Sequence, residues 1–237
     1  MTGHLILEGI SAGYGPKEIV HDVSLKSEMG QVTFLMGPNG CGKSTLLKAV
    51  VGLAVKTSGT IYVNGAEVSR PTPENSLRNG IAYAPQGGRT FRPLTVQHNL
   101  ELAANIIEPK TRKRRAIEEV LHRFPELKSR SNQVAGSLSG GERQLLVLAR
   151  AMISDPSVLL LDEPTAALAP LATARILGLI RDWVKVGDRT ALIVEQNVEV
   201  SLPFGDRLCV LRGGHVVDQQ TPPFDYDMIS QEFLGSK

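Results

Sequence analysis

Apolar residues change their spacing several times along this chain, and each change predicts a different element. Leu5 to Lys26 alternates apolar and polar positions in short stretches, with turn residues at Gly13 and Gly15. Thr60 to Val68 alternates around Asn64-Gly65. Alternation is the mark of half-buried strands, and an Asn-Gly pair between two such runs predicts a hairpin. Together they predict an antiparallel sheet. Gln31 to Met36 and Val158 to Asp162 are instead short, nearly continuous apolar runs. Such runs suit strands of a parallel sheet, which is covered on both faces. Helical spacing replaces the strand pattern from Ser44 to Val51 and again from Leu171 to Val186. It also governs Thr95 to Phe124, with apolar residues at Val96, Leu100, Ala103, Ile107, Ile117, Val120 and Leu121. Asp206 to Val217 predicts a last hairpin, turned at Gly213-Gly214.

Composition narrows the class. A chain of 237 residues with 42% hydrophobic positions can bury a sizeable core. The formal net charge of +2 gives no strong field toward nucleic acid or membrane. Two cysteines, Cys41 and Cys209, make no disulfide framework and fit a reducing cytosolic setting. Met1-Thr2-Gly3-His4 does not read as a signal peptide, and no apolar run approaches the ~20 residues that span a bilayer. If the chain serves transport, other chains must supply the membrane path.

Two motifs carry chemistry. Gly37-Pro38-Asn39-Gly40-Cys41-Gly42-Lys43-Ser44-Thr45 matches G-x-x-x-x-G-K-[ST] between a predicted strand and a predicted helix. Glycines let backbone N–H groups turn inward around phosphate oxygens, and the helix N-terminus adds partial positive charge. Lys43 can reach the β- and γ-phosphates, and the Ser44 hydroxyl can ligate Mg²⁺. Cys41, at a helix N-terminus beside Lys43, is placed where thiolate formation is favoured. A glycine-rich turn with a chance lysine is the plain alternative. Downstream, Val158-Leu159-Leu160-Leu161 ends in Asp162-Glu163. Acids at the end of a parallel strand stand where α/β sheets bind ligands. Asp162 would join the Mg²⁺ shell and Glu163 would polarise an attacking water. Taken alone, the two acids are equally a surface turn after a strand.

A third motif names a family. Leu138-Ser139-Gly140-Gly141-Glu142 resembles the signature sequence of the ATP-binding subunits of ATP-binding-cassette (ABC) transporters. A serine and two glycines at a helix start suit a second phosphate contact, and serine is equally an ordinary helix cap. The resemblance runs from Leu5 to about Val217. It implies that Tyr14 stacks on adenine and that Gln86, after Tyr83-Ala84-Pro85, senses Mg²⁺ and the γ-phosphate. The nucleotide would be held by Tyr14, residues Gly37 to Thr45, Gln86, and Ser139, Gly140, Gly141 and Glu142. Ser44, Gln86 and Asp162 would hold the metal, and Glu163, Lys43 and Gln196 would carry catalysis. The implied fold is α/β: a P-loop NTPase core with a mixed or parallel sheet, an antiparallel β subdomain and an inserted α-helical subdomain. One ATPase domain would fill 1–237, with its core in 1–86 and 155–237 and the helical part at about 87–154.

Two departures from the family pattern sharpen the resemblance. Most of these subunits carry histidine after the last core strand, where Ala191-Leu192-Ile193-Val194-Glu195-Gln196-Asn197 places Gln196. Most carry aspartate in the loop after the acidic strand, where Thr165-Ala166-Ala167-Leu168-Ala169-Pro170 places Ala169. Both departures, with Gln86 to Phe91 and Leu94-Thr95-Val96, resemble the second ATPase subunit of branched-chain amino acid importers and the related urea importers. That resemblance implies ATP and Mg²⁺ as cofactors. It implies a second ATPase subunit, of the same or a related chain, sandwiching two nucleotides with this one. It also implies transmembrane permeases and, indirectly, an extracytoplasmic substrate-binding protein. The chain would sit peripherally at the cytoplasmic face of the membrane.

Two other classes compete. A soluble ABC ATPase acting on ribosomes or DNA would carry two cassettes or a long coiled-coil insertion, and the chain has one phosphate loop and a short interval from Lys43 to Asp162. A small-molecule kinase would show an acceptor motif, and none is visible. The basic run Lys110-Thr111-Arg112-Lys113-Arg114-Arg115 reads as a solvated helix start or loop, or as a contact for anionic lipid or a partner. It lacks interleaved aromatics, which argues against nucleic acid. The histidines show no metal-ligand spacing, and Trp183 reads as helix core or rim.

Overall fold

The longer strands and helices follow from the spacing above with two departures, while the short elements Pro73–Arg78, Ile81–Ala84, Pro125–Ser129 and Val198–Ser201 are not predicted by it. The computed structural model describes residues 4–87, 89–226, 228 and 229. Met1 to Gly3, and Gly88 within the Gln86 to Phe91 segment, lie outside the described residues. The chain begins with β1 (Leu5–Tyr14) and β2 (Lys17–Ser27). Next come β3 (Val32–Met36), α1 (Lys43–Val50), β4 (Val55–Val63), β5 (Ala66–Glu67), α2 (Pro73–Arg78) and β6 (Ile81–Ala84). Helices α3 (Val96–Ala103), α4 (Lys110–Arg123), α5 (Pro125–Ser129) and α6 (Gly140–Met152) lie between β6 and β7 (Val158–Asp162). The chain continues through α7 (Pro170–Lys185), β8 (Thr190–Val194), α8 (Val198–Ser201), β9 (Arg207–Arg212) and β10 (His215–Gln220).

Two sheets result. One is antiparallel, in the order β2-β1-β4-β5. The other runs β10-β9-β3-β8-β7-β6, parallel except for the β9–β10 hairpin. Successive residues of the parallel strands point to opposite faces, so each strand feeds two cores. Phe34, Leu159, Leu161 and Ile193 pack with α3, α4, α6 and α7 on one face. Leu35, Leu160, Leu192 and Val194 pack with α1 and the antiparallel sheet on the other. Phe34 is fully buried, and truncating such a side chain costs about 3–5 kcal/mol. Asn64 and Gly65 both adopt positive φ, 53° and 78°, and close the β4–β5 hairpin as the Asn-Gly signal predicts.

Gly13 does not make a turn. It lies inside β1, where a Cβ would stand 1.9 Å from the Lys17 carbonyl oxygen; the glycine permits a close crossing of β1 and β2. The turn falls at Gly15-Pro16 alone. Nor is Thr95 to Phe124 continuously helical. A 3-10 turn at Ala104–Ile106 ends α3, and α4 starts after Pro109, which has no N–H to extend a helix. The basic run Lys110 to Arg115 is the start of α4. Arg114 and Arg115 pair with Glu118 at 3.0 Å and Glu119 at 2.8 Å on its exposed face.

The parallel strands place the chemistry. β3, β6, β7 and β8 all end at one edge of the sheet, in the order β3-β8-β7-β6. From that edge emerge the Gly37 to Gly42 loop, Gln86, Asp162-Glu163 and Gln196.

Candidate functional site

The loop after β3 wraps a cleft of about 440 Å³ lined by Ile19, Asn39, Gly40, Gly42, Lys43, Ser44, Thr45, Gln86, Glu163 and Gln196. Gly37, Gly40 and Gly42 hold φ of 145°, 78° and 109°. At Gly37 a Cβ would lie 2.0 Å from the Leu211 carbonyl oxygen, so no other residue fits there. The loop then opens α1 with free N–H groups, the arrangement that binds phosphate. Lys43 is 5% exposed, and its ammonium donates to the loop's own carbonyls, Gly37 at 2.7 Å and Pro38 at 2.9 Å.

Asp162 closes the floor. The Ser44 hydroxyl donates to Asp162 Oδ1 at 2.8 Å, and the Tyr83 hydroxyl donates to Oδ2 at 3.2 Å. Burial raises the Asp162 carboxyl above its ordinary value, against the opposing pull of these two hydrogen bonds. Burial likewise raises the Tyr83 phenol, so it stays a proton donor. Hydroxyl, carboxylate and the Gln86 amide oxygen are hard donors of the kind that Mg²⁺ takes, and the site fits that ion.

Glu163 follows with a left-handed backbone, φ 50°, and its N–H donates to the Val194 carbonyl at 3.0 Å. Two glutamine amides hold its carboxylate. Gln86 Nε2 donates to Oε2 at 2.6 Å, and Gln196 Nε2 donates to Oε1. The residue in the place of the family's usual histidine thus touches the carboxylate directly. Behind it, Glu195 is 3% exposed and accepts from the Thr165 N–H at 3.1 Å, the Thr165 hydroxyl at 2.7 Å and the Gln196 N–H at 3.3 Å. Burial pushes its carboxyl up.

Other sequence-predicted residues stand apart. Tyr14 is 44% exposed and lines a neighbouring cleft of about 590 Å³ with Leu53, Val55 and Arg70. Ser139, Gly140, Gly141 and Glu142 line no part of the phosphate-loop cleft. Ser139 caps α6: its Oγ accepts from Glu142 N–H at 3.3 Å, and Glu142 accepts from Ser139 N–H at 2.9 Å and pairs with Arg130 at 2.8 Å. A Cβ on Gly140 or Gly141 would make only ordinary contact within the chain, 3.8 Å and 3.9 Å, so the chain's own packing does not require glycine there. Cys41 departs from expectation. It is 7% exposed, and burial pushes its thiol up more than Lys43 pulls it down, because desolvation penalises the thiolate. Sequence reading missed Ile19, which carries no signal. In the sequence Tyr83 stands only as context for Gln86, and Glu195 only as part of a strand.

The family profile described as ABC transporter matches residues 20–166. The chain belongs to the ABC transporter family. "Probable branched-chain amino acid transport ATP-binding protein LivF" of Archaeoglobus fulgidus is 43% identical over 211 residues, 87% of each chain. "High-affinity branched-chain amino acid transport ATP-binding protein BraG" of Pseudomonas aeruginosa is 38% identical over 217 residues, 92% of each. The ADP conformation of an ATP-binding cassette of an ABC transporter superposes with a TM-score of 0.83 at 26% identity, covering 96% of this chain and 93% of that one. Export-system ATP-binding proteins match too, at 32% and 35% identity. This ABC subunit is an ATP-binding, ATP-hydrolysing cassette of a transporter complex, a class that dimerises and works with membrane permeases. Among the described residues no helix is long and apolar enough to cross a membrane.

Proposed function

We propose that this cassette drives an importer of branched-chain or other hydrophobic amino acids, seated peripherally on its permeases at the cytoplasmic face of the membrane. ATP enters the cleft with its phosphates on the Gly37 to Thr45 loop and its base on Tyr14. Lys43 exchanges its two loop carbonyls for phosphate oxygens. Ser44, Asp162 and Gln86 would hold Mg²⁺, which would neutralise phosphate charge. Glu163 accepts the proton of the attacking water. Gln86 and Gln196 keep its carboxylate aimed, and Gln196 does so without becoming cationic.

The signature residues act on another subunit's nucleotide. What supports this is their absence from the lining of the chain's own cleft and the bare backbone at Gly140 and Gly141. ATP would then draw two cassettes together about a two-fold axis, and the part at about 87–154 would move against the core in 1–86 and 155–237. Permease helices would receive that motion near Gln86 to Phe91. The second cassette is a copy or a related chain.

The observation that carries the cargo is the match, over 87% and 92% of the chain, to two cassettes named for branched-chain amino acid transport. Gln196 in the histidine place and Ala169 in the aspartate place agree with it. Deleting the gene should slow uptake of labelled leucine, isoleucine and valine at low external concentration, and a Lys43→Ala copy should fail to restore it. Normal uptake of all three with lost urea uptake would move the cargo to urea or short amides. Lost export of a lipid or drug would overturn the importer reading.

A further inference from the structure

We propose that Tyr83 is a positioning residue for Asp162: its phenol hydroxyl sets the orientation in which that carboxylate meets Ser44. The inference rests on the reading of Ser44 and Asp162 as the Mg²⁺ pair. It comes from the register of the sheet. β6 and β7 pair in parallel with Tyr83 opposite Leu160, so Tyr83 and Asp162 share one sheet face, two residues apart along β7. That face is the one covered by α1, where Leu46 and Leu47 pack with Ile81 and Leu160. Ser44 sits in the first turn of α1. Three elements far apart in sequence therefore aim a hydroxyl, a phenol and a carboxylate at one point. The two oxygens of Asp162 are divided between them, Oδ1 to Ser44 at 2.8 Å and Oδ2 to Tyr83 at 3.2 Å.

A carboxylate held at one oxygen alone turns about its terminal torsion, which is broad and weakly restrained. With the second oxygen tied to Tyr83, the plane of the group is set and Oδ1 keeps facing the Ser44 hydroxyl. Tyr83 is half-buried at the strand end that leads through Ala84 and Pro85 to Gln86. The same side chain therefore ties the Gln86 segment to the acidic strand.

Tyr83→Phe keeps the ring and removes only the hydroxyl. The test is binding of a fluorescent ATP analogue to the purified chain, in EDTA and across a Mg²⁺ titration, with melting temperature measured alongside. The proposal expects unchanged affinity in EDTA, with Mg²⁺ half-saturation raised about three- to tenfold, the size of one typical net hydrogen bond, because Tyr83 acts on the ion only through Asp162. Excess Mg²⁺ should restore binding. A purely structural tyrosine would instead lower the melting temperature and weaken binding equally in EDTA and Mg²⁺, and that result overturns the proposal. So does an unchanged Mg²⁺ half-saturation. Asp162→Asn separates the two readings. If it leaves the Mg²⁺ dependence intact, the assignment of the Mg²⁺ pair fails and takes Tyr83 with it. If it abolishes that dependence while Tyr83→Phe does nothing, only the role of Tyr83 falls.

Discussion

Replacing Gln196 with alanine removes one of the two amides on Glu163 and leaves the other. Gln86 still donates to Oε2 at 2.6 Å, while Oε1 loses its partner and faces solvent. A hydrogen bond to a charged group contributes about 1.5–3 kcal/mol when shielded from water. Gln86 and Gln196 are exposed and Glu163 is half-buried, so about 1–2 kcal/mol is the reasonable range here. If that stabilisation acts on the transition state, kcat falls roughly tenfold, since about 1.4 kcal/mol is a factor of ten. The loss is limited because Gln86 still holds the other carboxylate oxygen. KM for ATP should change by less than about threefold, since the lost contact is to Glu163 and not to the nucleotide. Gln196→His should stay active, because an imidazole N–H can donate to the same oxygen. Gln86→Ala and the double variant complete a cycle. Both amides act on one carboxylate, so their effects should be non-additive by about 0.5 kcal/mol or more. The assay is steady-state ATP hydrolysis by the transporter assembled with its permeases. A Gln196→Ala enzyme with kcat within twofold of the parent would refute the reasoning and leave Gln196 a structural role.

Three other outcomes follow from the same geometry. Glu163→Gln should abolish turnover and keep ATP binding, accumulating as an ATP-bound dimer on size-exclusion chromatography where the homodimer can form; near-parental hydrolysis would remove Glu163 from the water-activating role. Cys41, 7% exposed with its thiol pushed up by burial, should react with a bulky maleimide only slowly at neutral pH, and mass spectrometry showing complete labelling within minutes would contradict that burial. Glu195 has its folded pKa raised, so the folded state binds the proton more tightly, and its contribution to stability is greatest below the ordinary carboxylate value and falls as pH rises through the raised one. Glu195→Gln cannot ionise, so its melting temperature should gain on the parent's as pH rises above the ordinary carboxylate value, and a difference that does not change with pH would refute the assignment.

Contiguous chemistry was legible from sequence alone. The phosphate loop, the capping serine of α6 and the Asn64-Gly65 hairpin each depend on neighbours along the chain, because turn geometry, helix capping and glycine's backbone range are local properties. The signature sequence and the departures at Gln196 and Ala169 were legible through the resemblance to a family, which is also read from contiguous residues. What the tertiary structure decided is which distant groups meet. Gln86 and Gln196 reach Glu163 from two different strand ends, and Tyr83 reaches Asp162, only because the sheet runs β3-β8-β7-β6 in one register. Hydrophobic spacing says that a strand is buried on both faces; it does not say which strand lies beside it. Burial was hidden in the same way. Cys41 reads as an activated thiol beside a lysine, yet the β1–β2 sheet and the Gly214 turn close over the loop, and desolvation outweighs the nearby charge. Gly13 reads as a turn, yet it is where two long strands cross too closely for a side chain. In each case a local signal set the residue's capability, and long-range packing set the environment in which it acts.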